Sequence, residues 1–175
     1  MTYRSSWMTE ELDAFRDQFR RFLAKDLAPH AETWRKEKMV ARSAWRGLGE
    51  MGALLPSVPE AYGGLGASFA YEAAVLEDVE TVVPELSPGL AVHSAIVAHY
   101  ILNYGSEEQK KRWLPKMASG EMVGAIAMTE PGTGSDLQSV KTTAKKQGNS
   151  YVINGQKTFI TNGQAADLVI VVAHW

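Results

Sequence analysis

The feature that most constrains the fold of this chain is a change in its hydrophobic period near Glu121. Before this residue, apolar side chains recur every three or four positions, which is typical of amphipathic helices. After it, residues 140–145 alternate as half-buried strands do, and residues 168–173 form a continuous apolar run. We therefore predict an α+β fold in two domains. An all-α helical bundle over residues 1–120 is followed by part of an antiparallel β-domain over residues 121–175.

Capping and breaking residues predict where the helices begin and end. Thr9 is a suitable N-terminal cap for the first helix, and Pro29 stops or bends the chain that follows it. A helix over residues 88–104 is apolar almost all round, so we expect it at the centre of the bundle. Ser106 and Gln109 form a capping box for the next helix. The other predicted helices are residues 31–38, a helix from a Ser43 cap to Met51, and a helix from a Ser68 cap to Val82.

Turn residues divide the β-region into short strands. The Asn-Gly pair at residues 154–155 is a strong signal for a tight hairpin turn. It predicts that a strand at residues 151–153 pairs with a strand at residues 156–161. The apolar strand at residues 168–173 runs almost to Trp175, with nothing after it to cover its edge. We therefore expect a β-domain that is truncated here or covered by another chain.

Composition argues against several classes of function. The formal net charge of −2 at pH 7 gives no basic field, so we expect no nucleic-acid partner. The chain has no cysteine, and His93 and His99 lie on different sides of one helix, so we expect no metal site. No stretch is apolar enough to span a membrane, and the start of the chain, from Met1 to Arg4, does not open a signal peptide. The expected location is cytoplasmic.

A polar loop at residues 129–136, read Thr-Glu-Pro-Gly-Thr-Gly-Ser-Asp, offers groups that can bind a ligand. Its two glycines let backbone N–H groups approach a ligand, and its three hydroxyl side chains can form hydrogen bonds. The loop lacks the third glycine of the dinucleotide-binding motif and the Gly-Lys pair of a P-loop. Such a loop suits a flat heteroaromatic ring with carbonyls and ring nitrogens at its edge. Taken alone, it also suits an ordinary glycine-rich turn.

The same loop and five other segments, in the same order, resemble the acyl-CoA dehydrogenase family. The resemblance covers nearly the whole chain and is strongest to long-chain members. It implies a helical domain, a middle β-domain and a C-terminal helical bundle, with FAD bound between the β-domain and that bundle. By this comparison the chain holds the first domain and part of the second, and the C-terminal bundle is absent. The other segments are residues 59–66 (Pro-Glu-Ala-Tyr-Gly-Gly-Leu-Gly), 104–110 (Tyr-Gly-Ser-Glu-Glu-Gln-Lys), 113–115 (Trp-Leu-Pro), 119–121 (Ser-Gly-Glu) and 157–163 (Lys-Thr-Phe-Ile-Thr-Asn-Gly).

The resemblance implies a flavin site made from two segments of the chain. Thr129 would bond the pyrimidine side of the ring, Ser135 would meet flavin and acyl-CoA, and Phe159 would pack on the ring. Many relatives have tryptophan in place of Phe159 and a smaller residue in place of Thr133. The resemblance assigns no catalytic residue here, because the family's base comes from the C-terminal bundle and the loop residue Glu130 is not that base. The implied cofactor-binding residues are Ile126, Ala127, Met128, Thr129, Gly134, Ser135, Phe159, Ile160 and Thr161, and the implied substrate-binding residue is Ser135.

The resemblance therefore implies a flavoprotein oxidoreductase of fatty-acid β-oxidation. This FAD-dependent acyl-CoA dehydrogenase would convert an acyl-CoA thioester to its trans-2-enoyl-CoA. Its implied partners are the acyl-CoA substrate, an electron-transfer flavoprotein or similar acceptor, and further copies of itself in a homo-oligomer. The chain alone is expected to be inactive, because the base is missing. Two alternatives stay open: a flavin-dependent monooxygenase or oxidase of the same superfamily, and a non-catalytic helical interaction fragment.

Overall fold

The computed structural model describes residues 5–175, and the first four residues, where we expect no signal peptide, lie outside the described part. Helices come first and strands follow, which confirms the predicted α+β fold. None of the described helices combines the length and hydrophobicity that a membrane crossing requires. The α-helices are α1 (Glu10–Phe22), α2 (Ala31–Glu37), α3 (Arg42–Glu50), α4 (Phe69–Val82), α5 (Ser87–Leu90), α6 (Ala98–Tyr104) and α7 (Glu107–Ala118), and the strands are β1 (Gly124–Ala127), β2 (Thr143–Gln147), β3 (Ser150–Asn154) and β4 (Leu168–Val171).

The first helical stretch runs without a break from α1 to α2. The hydroxyl oxygen of Thr9 accepts a hydrogen bond from the N–H of Leu12 (3.2 Å), so the predicted cap is confirmed. Pro29 does not end the helical stretch. A π-helical segment (Leu23–Leu27) and a 3-10 turn (Ala28–His30) carry the helix through it, because a proline early in a new turn has no N–H bond to lose.

The long helix predicted for residues 88–104 is present, and it is built from α5, a π-helical segment (Ala91–Val97) and α6. Pro88 lies in its first turn, and Gly105 follows its last residue, as the sequence predicts. Leu90 and Val97 are fully buried, and the helix packs against both β1 and α7. This helix is therefore the element that connects the helical core to the sheet.

Of the predicted serine caps, only one forms. Ser106 and Gln109 make both hydrogen bonds of the capping box (3.2 and 2.8 Å) at the start of α7. Ser43 is not a cap, because α3 begins at Arg42, whose side chain is held by a distant part of the chain. Ser68 precedes α4 as predicted, but its hydroxyl makes no capping hydrogen bond within the described residues. Within the described residues, α3 therefore begins without a side-chain cap.

The strands pair in two ways. β2 and β3 form an antiparallel hairpin that turns at residues 148–149, whereas β1 and β4 pair in parallel with Ala125 opposite Val169. The β2–β3 hairpin agrees with the predicted antiparallel region, whereas the parallel pairing of β1 with β4 does not. The connection between β1 and β4, residues 128–167, is long enough for a parallel crossover, and hydrophobic alternation carries no information about strand direction.

The hairpin turn predicted at Asn154 and Gly155, and the strand predicted at residues 156–161, do not form. Gly155 does not have the positive φ that a tight hairpin turn needs. Its role is close packing, because a Cβ atom there would lie 2.2 Å from Oγ1 of Thr142. Phe159, with a φ of 55°, then interrupts the extended backbone, so this stretch is irregular and not a strand.

One hydrophobic core extends from the helices to β1. Trp45 in α3, Met117 in α7 and Val123 just before β1 are all buried in it. Gly120 makes the turn between α7 and β1 with a φ of 73°, and a Cβ atom there would lie 2.1 Å from the carbonyl oxygen of Trp45. Only glycine fits this position. The division into two domains at residue 120 stays a prediction, and the core itself is continuous across that position.

Candidate functional site

The two segments that the sequence singles out for ligand binding lie side by side. The N–H of Thr158 donates a hydrogen bond to the carbonyl oxygen of Thr129 (2.9 Å). Nζ of Lys157 donates to the carbonyl oxygen of Met128 (2.8 Å). In the described part of the chain, Ser135, farther along the first segment, has no such bond to the second segment. The two segments therefore form a junction. Among the described residues it is hydrogen-bonded at the end next to β1 and not at the end that contains Ser135.

Glu130 is the carboxylate at the centre of this junction and is only 6% exposed. Its Oε1 accepts hydrogen bonds from Nζ of Lys157 (2.9 Å) and from the N–H (2.9 Å) and hydroxyl (2.5 Å) of Thr142. Its Oε2 accepts one from the N–H of Lys141 (2.7 Å). These bonds, that of the Thr142 hydroxyl above all, lower the pKa of Glu130 from 4.5 to about 2. A carboxylate held so firmly in its ionised form is a poor acceptor for a substrate proton.

The turn after Glu130 is closed by two backbone hydrogen bonds. The N–H of Glu130 donates to the carbonyl oxygen of Thr133 (2.9 Å), and the N–H of Thr133 donates back (3.0 Å). The hydroxyl of Thr133 is buried and donates to the carbonyl oxygen of Ser139 (3.1 Å), so it stabilises the loop and does not face a ligand. A Cβ atom on Gly132 or Gly134 would meet no heavy atom of the described residues within 4 Å. The loop therefore leaves open space in front of its two glycines.

The residues proposed by the sequence differ in the surface that they offer to a ligand. Phe159 is 92% exposed, and its φ of 55° lies in the left-handed region, which aromatic residues rarely adopt. Ala127 is buried in the β1–β4 pair, so its side chain offers almost no surface. The hydroxyls of Thr129, Ser135 and Thr161 have no hydrogen-bond partner within residues 5–175. Exposed residues are Gly134, Ser135 and Thr161, and half-buried ones are Ile126, Met128, Thr129 and Ile160.

His93 is a buried histidine that joins the helical core to β1. Its Nδ1 accepts a hydrogen bond from the N–H of Gly124 (3.0 Å), and its Nε2 donates one to the carbonyl oxygen of Met117 (3.1 Å). Burial lowers the pKa of His93 from 6.5 to about 4, so the ring is neutral near pH 7. Within the described residues, no three His, Asp or Glu side chains are grouped as a metal ion would require.

Polar residues to which the sequence patterns gave no structural role hold the second segment against the helices. Nδ2 of Asn162 donates to a carbonyl oxygen in α5 and to another in β1. The guanidinium of Arg42 donates two hydrogen bonds to the carboxylate of Asp167 (2.6 and 2.9 Å), which lowers the pKa of Asp167. That carboxylate also accepts a bond from the N–H of Val123 (2.8 Å). These partners lie up to 125 residues apart in sequence, so no local signal could have revealed them.

Comparison with known proteins identifies the family to which this chain belongs. Residues 9–121 match the family model described as acyl-CoA dehydrogenase, N-terminal domain, and residues 125–174 match the one described as acyl-CoA dehydrogenase, middle domain. The chain belongs to the acyl-CoA dehydrogenase family. These two matches confirm the resemblance that the sequence motifs indicate, and the family is one of oxidoreductases.

Individual acyl-CoA dehydrogenases are similar over nearly the whole of this chain. The chain is 46% identical over 165 residues to the mitochondrial long-chain specific acyl-CoA dehydrogenase of Sus scrofa, covering 94% of this chain and 38% of that protein. The crystal structure of acyl-CoA dehydrogenase from Geobacillus kaustophilus matches with a TM-score of 0.93 and 50% identity, covering 97% of this chain and 44% of that one. A glutaryl-CoA dehydrogenase from Mycobacterium smegmatis in complex with FADH2 matches with a TM-score of 0.89 and 28% identity, covering 95% and 43%. The chain thus spans less than half the length of each of these relatives.

In this member of the acyl-CoA dehydrogenase family, the two signature segments form one structural unit. Lys157 is the first residue of the second motif. Its Nζ donates hydrogen bonds to Oε1 of Glu130 in the first motif and to the carbonyl oxygen of Met128, two residues before it. Both motifs are recognisable in the sequence, but nothing in the sequence indicates a role for Lys157. Its partner lies 27 residues away, and no spacing rule connects a lysine in an irregular segment to a carboxylate in a turn.

Proposed function

We propose that this chain forms part of the flavin site of an FAD-dependent acyl-CoA dehydrogenase, which oxidises a fatty acyl-CoA thioester to the trans-2-enoyl-CoA. In this reaction the substrate loses its α-proton to a base and its β-hydrogen as a hydride, and FAD supplies the hydride acceptor when bound. The observation that carries the proposal is the hydrogen-bonded junction of residues 126–135 with residues 157–161, which leaves an exposed aromatic ring and hydroxyls that have no partner among residues 5–175.

The groups at this junction suit the ring of a flavin. The exposed ring of Phe159 offers a face for stacking. The hydroxyls of Thr129, Ser135 and Thr161 can bond the carbonyls and nitrogens at the edge of the ring. The open space at the two loop glycines lets that edge approach the backbone. The proposed cofactor-binding residues are Ile126, Ala127 (through its backbone), Met128, Thr129, Gly134, Ser135, Phe159, Ile160 and Thr161, with Ser135 also proposed to contact the acyl-CoA.

Proton abstraction at the α-carbon needs a carboxylate that is free to accept a proton. Glu130, the carboxylate of the loop, has four hydrogen-bond donors on its two oxygens and a pKa of about 2. It is therefore suited to holding the loop and not to catalysis. We propose that this loop does not supply the base, and that the 175-residue chain alone does not turn over acyl-CoA.

The partners and location follow from the same proposal. The substrate is an acyl-CoA, and the electrons pass to an electron-transfer flavoprotein or a similar acceptor. A homo-oligomer and a cytoplasmic location complete the proposal, although the similar long-chain enzyme of Sus scrofa is a mitochondrial protein. Size-exclusion chromatography of the purified chain tests the oligomer directly, because a monomer would contradict that part of the proposal for this chain.

The proposal is tested by flavin retention. The purified chain is incubated with FAD and desalted, and its visible absorption spectrum is recorded. We expect the wild-type chain to retain flavin bands and the Phe159→Ala variant to retain less, because the variant lacks the stacking face. Tyr151→Ala is the matched control, since Tyr151 is also an exposed aromatic residue but lies in β3, outside the junction.

The outcomes separate the parts of the proposal. Equal retention by the Phe159→Ala and Tyr151→Ala variants would contradict the assignment of residues 159–161 to the flavin. A colourless wild-type protein would contradict a flavin site formed by this chain alone. Bleaching of bound flavin on addition of acyl-CoA would show that the chain needs no further base, and hydrogen peroxide formation would favour the oxidase alternative.

A further inference from the structure

Asn162 lies where residues 159–161 meet the helical bundle. Its φ of 64° is in the left-handed region, which asparagine tolerates better than most other residues with a side chain. Nδ2 of Asn162 donates hydrogen bonds to the carbonyl oxygens of Gly89 in α5 (2.9 Å) and Gly124 in β1 (3.1 Å). One side-chain amide therefore joins the predicted flavin segment to a helix and to a strand.

The chemistry of position 162 is specific. Two carbonyl acceptors that face one nitrogen require an NH2 group, which aspartate and glycine lack. The backbone carbonyl of Asn162 meanwhile accepts hydrogen bonds from the N–H groups of Ala165 (2.9 Å) and Ala166 (2.8 Å), which closes the turn toward β4. The side chain thus fixes the segment to the bundle, and the backbone fixes the turn that follows it.

Gly89 makes room for this amide. A Cβ atom at Gly89 would lie 2.7 Å from Oδ1 of Asn162 and 3.5 Å from the ring of Trp45. The φ of Gly89 is not positive, so the helix itself would accept alanine there. The side chain of Asn162 is therefore the group that would have to move, and Gly89 and Asn162 form a coupled pair.

Two other contacts hold the same stretch of chain at its ends. Lys157 binds the carbonyl oxygen of Met128 before the segment, and Asp167 binds Arg42 after it. Between these two points, Asn162 is the residue whose side chain reaches both the helical bundle and β1. Residues 159–161 are thus held between Lys157 and Asn162, although Phe159 and Thr161 are themselves exposed.

We propose that Asn162 is a positioning residue: it holds residues 159–161, and with them a bound flavin ring, in a fixed place relative to α5 and β1. This inference rests on the proposed function, because it assigns the flavin to that segment. Asn162 itself is not proposed to touch the flavin. It acts through the orientation of Phe159 and Thr161.

The test compares Asn162→Gly with the wild-type chain. Glycine accepts the left-handed backbone and lacks the amide, so the variant removes both hydrogen bonds without straining φ. We expect amide hydrogen exchange, followed by NMR, to be about tenfold faster at Thr158 and Gly163 after loss of the two hydrogen bonds. In the flavin-loaded protein we expect weaker retention and a visible band that resembles free flavin more closely than the wild-type band does.

A second pair of variants separates positioning from packing. Gly89→Ala should lower Tm, because its new methyl group displaces the side chain of Asn162. The double variant Gly89→Ala/Asn162→Gly removes that clash, so its Tm should rise above that of Gly89→Ala while exchange at Thr158 stays fast. If the pair only filled space, the double variant would restore both measurements to wild-type values.

Thr9→Ala serves as a control for general loss of stability. It removes the cap of α1, far from residue 162 in the chain, so it should lower Tm and leave exchange at Thr158 unchanged. Exchange in Asn162→Gly within twofold of wild type would overturn the proposal. If the wild-type chain binds no FAD, the proposed function fails for this chain. Exchange in the flavin-free protein then still decides whether Asn162 orders the segment.

Discussion

Lys157 and Glu130 form an ion pair, with Nζ and Oε1 2.9 Å apart and both side chains largely withdrawn from solvent. The pair joins the second signature segment to the turn of the first. Because each charge is mostly buried, removal of one partner leaves the other without its full compensation. The two segments of the candidate site therefore depend on each other for their stability.

Replacement of Lys157 by methionine should lower the Tm of the chain by several degrees. Methionine fills a similar volume but supplies no charge and no donor, so Glu130 loses one of its four hydrogen bonds while it stays buried. Thermal unfolding followed by circular dichroism measures the change. Lys145→Met, at an exposed lysine of β2, is the matched control and should leave Tm nearly unchanged. Equal Tm values for the two variants would contradict the role of the pair.

The coupling between Lys157 and Glu130 can be measured with a double-mutant cycle. Glu130→Gln places an NH2 group among donors that all point at the carboxylate, so this variant should also lose stability. If the two side chains act as a pair, the double variant with Lys157→Met should lose less stability than the sum of the two single losses. Strictly additive losses in urea unfolding would show that the ion pair carries no coupling.

Glu130 also predicts how stability depends on pH. The pKa of Glu130 is lowered from 4.5 to about 2, so the unfolded chain takes up the proton more readily than the folded chain. The stabilisation is complete above about pH 4.5 and is lost as the pH falls toward 2. The difference in urea midpoint between wild type and Glu130→Gln should therefore shrink between about pH 6 and about pH 3. A difference that stays constant over this range would exclude Glu130 as its source.

The parts of the fold that the sequence predicted correctly are those set by neighbouring residues. The cap at Thr9 and the capping box of Ser106 and Gln109 act within four residues, so they could be found by spacing alone. The pairing of β1 with β4 depends on how a long connection crosses the sheet, which spacing does not encode. Gly155 of the Asn-Gly pair is needed because a side chain there would collide with Thr142, which is 13 residues earlier in the sequence. The local hairpin signal at Gly155 was therefore misleading.

The candidate site divides in the same way. The motifs indicated both segments, because their residue types and order are family signatures that stand in the sequence itself. The groups that hold the segments together are Lys157 with Glu130, Asn162, and Arg42 with Asp167, and their partners are remote in sequence. A pattern shows which residues could meet a ligand, but only the fold shows what holds them in place.

His93 predicts a second pH effect in a different range. Burial lowers its pKa from 6.5 to about 4, so below pH 6.5 the unfolded chain gains a proton that the folded chain does not accept. Stability should therefore fall as the pH decreases from about 6.5 to about 4, by on the order of 3 kcal/mol at the lower end. NMR should show no titration of the His93 ring above about pH 5 in the folded chain. In the urea-unfolded chain the same ring should titrate near pH 6.5. A ring signal of the folded chain that also titrates near pH 6.5 would contradict the prediction.

Replacement of Phe159 should change flavin binding but leave stability nearly unchanged. Its ring is 92% exposed and its φ of 55° suits glycine better than an aromatic residue, so Phe159→Gly relieves backbone strain and loses little packing. The free energy of unfolding should stay within about 1 kcal/mol of wild type, because glycine also raises the entropy of the unfolded chain. Flavin retention should nevertheless decrease, whereas Phe159→Tyr, which keeps the ring, should retain flavin as wild type does. A large loss of stability in Phe159→Gly would instead identify the ring as part of the folded core.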